Sequence, residues 1–137
     1  MVCFWTTKNL VNKIEINTEI EYIENDLFDP ETFFNDLIGV TKDRGMKAEV
    51  IHFWVNALNA PYVQTKPFHK SQKLIEERED GSKIFEIQVV INQELQREFF
   101  GFADSIRVLS PQPLVDFMKN KLKFAVKRYE TQTEQQE

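Results

Sequence analysis

The succession of strand-like and helix-like segments predicts an α+β fold, a ferredoxin-like β-α-β-β-α-β sandwich. Its four-stranded antiparallel sheet carries helices on one face, with an additional C-terminal helix and, ahead of it, an N-terminal strand plus a linker helix. Three observations predict it. Four segments between residues 48 and 111 read as short strands, three of them rich in apolar residues, as half-buried strands are. Helical spacings of three and four residues fall between and after them. Asp80-Gly81 is a hairpin turn signal between two of the strands.

Each element has its own local reason. "NKIEINTEIEYI" alternates loosely and reads as a strand ending in an extended arm. "DPETFFNDLIGV" offers a helix over about residues 30–38, because Asp29 suits the N-cap, Pro30 needs no amide partner in the first turn, and Gly39 suits the stop. Phe33, Phe34, Leu37 and Ile38 supply its apolar face. The polar "TKDRG" marks the best boundary in the chain, so the folded domain begins near residue 46. "AEVIHFWVN" is a strand with Ile51, Phe53 and Val55 inward and Val50, His52 and Trp54 outward. "ALNAPYVQT" is a short helix or helical turn interrupted by Pro61. "QKLIEERED" and "SKIFEIQVVIN" are the hairpin strands; Phe85, Ile87, Val89 and Ile91 face the helices, and Ile84, Glu86 and Gln88 face away. "NQELQREFFGF" is helical through Leu95, Phe99 and Phe102. "SIRVLSP" is the last strand, and Ser110 can cap a closing helix with Leu114, Met118, Leu122, Ala125 and Tyr129 along one side. The final "ETQTEQQE", residues 130–137, lacks an apolar face and reads as a disordered tail.

Composition narrows the function classes. With 137 residues, 42% hydrophobic and twelve phenylalanines, the chain can bury one core. A formal charge of −5 argues against attraction of nucleic acid by the whole surface, leaving local basic patches. Cys3 is the one cysteine, so no internal disulfide forms and nothing points to an oxidising compartment. No apolar run reaches the length of a membrane span or a signal core, and a cytoplasmic location is expected. His52 and His69 are the only histidines, and neither stands at ligand spacing from a second donor, so no metal, no cofactor and no catalytic residue is assigned.

Two candidate surfaces remain. Lys66, His69, Lys70 and Lys73, with Ser71 and Gln72 as further donors, cluster in "KPFHKSQK" and form a possible anion handle in an acidic chain. The alternative is local: solvated lysines, with His69 and Gln72 satisfying backbone groups. The second surface is His52, Trp54 and Arg107 on the outward sheet face, able to stack on a ligand base or to be covered by the linker helix or a partner subunit. Lys119, Lys121, Lys123, Lys127 and Arg128 spread around the last helix and suit its C-terminal dipole.

From about Ile14 to Tyr129 the chain resembles the C-terminal half of bacterial WYL-domain transcriptional regulators, in particular their C-terminal extension, WCX. The segments that carry the resemblance are "DPETFFNDLIGV", "PFHKSQKLIEEREDGS", "VVINQELQREFFGFADSIRVLSP" and the closing "KRYE", in the family's order. The resemblance implies that residues 1–20 are a remnant of the last strand or strands of a WYL domain, 21–45 a linker, and 46–129 the WCX-type domain. It implies a non-enzymatic module that senses a ligand, mediates dimerisation, or both. DNA would be contacted only through a helix-turn-helix domain missing from this chain, and no Trp-Tyr-Leu run is present. A homodimer is the partner so implied. The alternative is a free-standing ferredoxin-like domain binding nucleotides or single-stranded nucleic acid.

Overall fold

In the computed structural model, the residues described are 15, 18–21, 29–43 and 45–133. Alternating apolar positions produce the sheet: β1 (Glu49–Val55), β2 (Lys73–Glu77), β3 (Lys83–Val89) and β4 (Ile106–Ser110) lie in the order β2-β3-β1-β4. All three pairings are antiparallel, and the crossovers are those of the ferredoxin-like sandwich. The helices are α1 (Pro30–Phe33), α2 (Ala60–Thr65), α3 (Gln93–Gly101) and α4 (Gln112–Thr133), with a 3-10 turn at Ala103–Ser105 before β4.

Register decides which side chains meet. Phe53 pairs with Phe85 and Val108, and Ile51 with Ile87, so the buried rows of β1, β3 and β4 share one face. Ala60 and Val63 of α2, Leu95 and Phe99 of α3, and Leu114 and Met118 of α4 close that face. Phe53 stands at its centre, with ring centroids 5.7 Å from Phe85, 5.0 Å from Phe99 and 5.8 Å from Phe68. Each such buried ring stabilises the fold by about 1.5–3 kcal/mol.

The hairpin forms as its turn residues predict. Gly81 adopts φ +80°, and the Asp80 carboxylate accepts from both the Ser82 hydroxyl and the Ser82 amide, which holds its pKa below the ordinary carboxylate value.

Four local expectations change. The linker helix ends at Phe33 instead of near residue 38, and residues 34–36 continue as a turn; Asp36 and Ile38 give their carbonyls to the domain. Pro61 lies at the start of α2, where its missing amide costs nothing, so it opens the helix and does not interrupt it. Ser110 ends β4, and its hydroxyl bonds His52; the first amides of α4 donate instead to the Pro111 carbonyl. α4 continues to Thr133, through the first four residues of the expected tail. Of the strand expected from residue 12 onward, residues 15 and 18–21 are described and none is in a strand, 18–20 forming a bend; its other residues lie outside the described ones, as do 134–137. Among the described residues no helix is long and apolar enough to cross a membrane.

Candidate functional site

The segment after α2 is built around Phe68, whose ring packs edge-on against Phe99 and Phe102 at 5.5 Å from each. Anchoring that ring in the helix layer holds the polar residues after it in one conformation. Gln72 braces the loop: its Nε2 donates to the Val63 carbonyl at 2.8 Å, and its Oε1 accepts from the Phe68 amide at 3.1 Å. Ser71 extends the sheet pairing, accepting from the Gln88 amide at 2.9 Å and lying 3.2 Å from the Gln88 carbonyl.

His69 is oriented at both nitrogens. Nδ1 accepts from the Ser71 amide at 3.2 Å and lies 2.8 Å from the Ser71 hydroxyl, so Nε2 carries the proton and donates to the Asn35 carbonyl at 3.0 Å. Lys70 reaches the same residue, donating to Asn35 Oδ1 at 2.7 Å. Lys66 lies over the Tyr62 ring, 5.3 Å from its centroid, and Lys73 approaches Glu86 at 3.9 Å on the outer sheet face. The six residues therefore share a segment but serve three places: the linker, the α2 end and the outer sheet.

A strap that the sequence did not disclose runs alongside. Asn92 is the N-cap of α3, 4% exposed; its Oδ1 accepts from the Leu95 amide at 2.9 Å. Its Nδ2 donates to the Ile38 carbonyl at 2.8 Å and to the Thr41 carbonyl at 3.1 Å. The Val90 amide donates to the Asp36 carbonyl at 2.8 Å. Glu94 accepts from the Thr41 hydroxyl at 2.5 Å; that bond first, and nearby backbone amides of Glu94, Val40 and Thr41 after it, hold its carboxyl below the usual range. Gly39, at φ +79°, lies so close that a Cβ there would come within 2.4 Å of Glu94 Cγ. Residues 35–41 are thus bound to the domain by Asn92, Glu94, Val90, His69 and Lys70. The sequence signal for Asn92 and Glu94 was only a helix start, which explains the cap but not the grip on the linker.

A groove of about 290 Å³ adjoins the strap, lined by Ile38, Tyr62, Lys66, Pro67, Phe68, Glu98 and Phe102.

The outer sheet face gathers His52, Trp54 and Arg107. Trp54 and Arg107 are register partners, and the guanidinium carbon lies 5.6 Å from the indole centroid. His52 bridges Ser110 Oγ at 2.9 Å and Glu86 Oε2 at 3.1 Å, a row across β4, β1 and β3 that follows from register. The linker's contacts lie at His69, Lys70, Val90, Asn92 and Glu94. Ile84 beneath this face is 8% exposed although it points away from the helices.

A family model, the WCX domain, matches residues 47–126. No curated protein matches the chain.

Proposed function

The chain belongs to the WCX domain family, and from that premise we propose that it is the regulatory C-terminal module of a WYL-type transcriptional regulator. The module catalyses no turnover; it holds or releases the linker at its N-terminal side in response to a ligand, to dimerisation, or to both. The observation that carries this reading is the strap. Residues 35–41 are attached through polar groups, the Asn35, Asp36, Ile38 and Thr41 carbonyls and the Thr41 hydroxyl, and through the buried Leu37 and the partly buried Ile38. Hydrogen bonds of this kind contribute about 1 kcal/mol each and a buried leucine about 1.5–3 kcal/mol; Leu37 stands outside the central apolar cluster, so the strap can open while that cluster stays intact. A reversible strap between a domain and the chain that precedes it is what a regulatory module needs.

The test follows amide exchange at Val90, which donates to the linker carbonyl of Asp36. The chain is titrated with short single-stranded DNA and RNA and with cyclic dinucleotides, and separately concentrated to drive self-association. A change at Val90 in any arm supports the regulatory reading. Val90 exchange that in every arm occurs only together with that of the β1 and β3 amides contradicts it.

One observation favours a second reading, a domain that binds nucleotides or single-stranded nucleic acid. The Arg107 guanidinium stacked over Trp54 on the outer face is a platform of the kind on which bases stack. Binding that weakens steeply with salt and is lost in Arg107→Met supports it; binding insensitive to both contradicts it.

A further inference from the structure

We propose that the groove between α2, α3 and the linker binds a small zwitterion with an apolar side chain, an amino acid of the phenylalanine or leucine type. The floor is aromatic. Phe68 and Phe102 meet at 5.5 Å and 85°, and Tyr62 stands 6.3 Å from Phe102, presenting ring faces and edges to an apolar side chain. A volume of about 290 Å³ lies at the lower bound of pockets for drug-sized molecules, which selects a smaller ligand.

Charge selects the head group. Lys66 and Glu98 line the same groove with opposite signs, and among the described residues neither is ion-paired. They do not bridge each other, so a group between them meets an ammonium on one side and a carboxylate on the other. A molecule bearing both charges on one carbon pairs with both. A singly charged ligand would leave one protein charge partly desolvated and unmatched, which costs affinity. Lys66 already rests on the Tyr62 ring at 5.3 Å, which pre-positions its ammonium at the wall.

The position of Ile38 gives binding a consequence. Ile38 forms one wall, and its carbonyl is held by Asn92 at 2.8 Å, so a ligand in the groove touches strap and domain together. It favours the strapped state over the released one by as much as it prefers the complete wall. As the ligand class for sensing, this rests on the regulatory reading above.

The experiment is an amide NMR titration of the whole chain with L-phenylalanine and with L-leucine, set against phenethylamine and 3-phenylpropionate. The expected result is saturable shifts at Ile38, Phe68, Glu98 and Phe102 with at least one amino acid. Each singly charged analogue should bind about tenfold or more weakly, as should the amino acid in Lys66→Gln and in Glu98→Gln. Both substitutions are on exposed side chains, and retained sheet shifts will show that the variants fold. No saturable shift with either amino acid, equal binding of the analogues, or shifts centred on Trp54 would overturn the proposal. Val90 exchange without ligand is measured on the same samples. If binding is absent while Val90 still opens separately from the sheet, the groove assignment fails and the regulatory reading stands.

Discussion

Replacing Asn92 by Asp separates the two tasks of that residue. Its Oδ1 caps α3 through the Leu95 amide, and its Nδ2 donates to the carbonyls of Ile38 and Thr41 at 2.8 and 3.1 Å. Aspartate is as good an N-cap as asparagine, so α3 keeps its cap. Both donations to the linker disappear, and a carboxylate now faces two carbonyl oxygens. At about 1 kcal/mol for each lost bond, attachment weakens by at least ~2 kcal/mol. That corresponds to roughly thirtyfold faster opening of the strap, at about 1.4 kcal/mol per tenfold. Asn92→Ala loses the cap as well, adding about 1 kcal/mol and leaving the Leu95 amide without its acceptor. The total of ~3 kcal/mol corresponds to a fall in Tm of about 12–24 °C for a domain of this size. The assay is amide exchange of Val90 and Leu95 in both variants, with thermal unfolding. Asn92→Asp should accelerate Val90 alone, and Asn92→Ala both. Unchanged Val90 protection in Asn92→Asp would refute the assignment of Asn92 as the linker's anchor.

Gly39→Ala places a side chain at φ +79° and drives its Cβ into Glu94, so about 1–3 kcal/mol of strap stability is lost, read as faster Val90 exchange with the β1 and β3 amides unaffected. Acidification acts through Glu94. Its folded pKa lies below the ordinary 4.5, so its stabilisation is complete above the unfolded value and is lost as pH falls through 4.5 and below; protection of Val90 should fall in that window and be pH-independent there in Glu94→Gln. Ser71→Ala leaves the Gln88 amide without the acceptor now at 2.9 Å and should lower stability by about 1–2 kcal/mol in denaturant unfolding.

The sheet was legible because its signal is local and periodic. Ile51, Phe53 and Val55 alternate with outward residues in the segment that becomes β1, and Asp80-Gly81 marks the hairpin. Where two local rules compete, tertiary contacts decide between them. The Asp-Pro start of the linker helix was legible, but its length was not, because the carbonyls of Asp36 and Ile38 are drawn to Val90 and Asn92. Ser110 could cap a helix by its type, yet strand register sets it beside His52. α4 shows the limit of an apolar stripe: Leu114 and Met118 reach the core, whereas Leu122 and Tyr129 further along it are 44% and 79% exposed. The residues of "PFHKSQ" read as a cluster of donors, but Asn35 lies 34 residues before His69, and nothing in the segment names it. Asn92 and Glu94 were hidden for the same reason, their partners in the linker being 51 to 54 residues away.

Native-state amide exchange of the unmodified chain decides whether the strap opens apart from the core. Val90 and the amides of residues 35–42 should exchange by a low-energy opening of the strap, well before the amides of β1 and β3, which wait for global unfolding. If Val90 exchanges at the same free energy as the β1 and β3 amides, with the same dependence on denaturant, the strap is an inseparable part of the fold. The module would then have no linker to release.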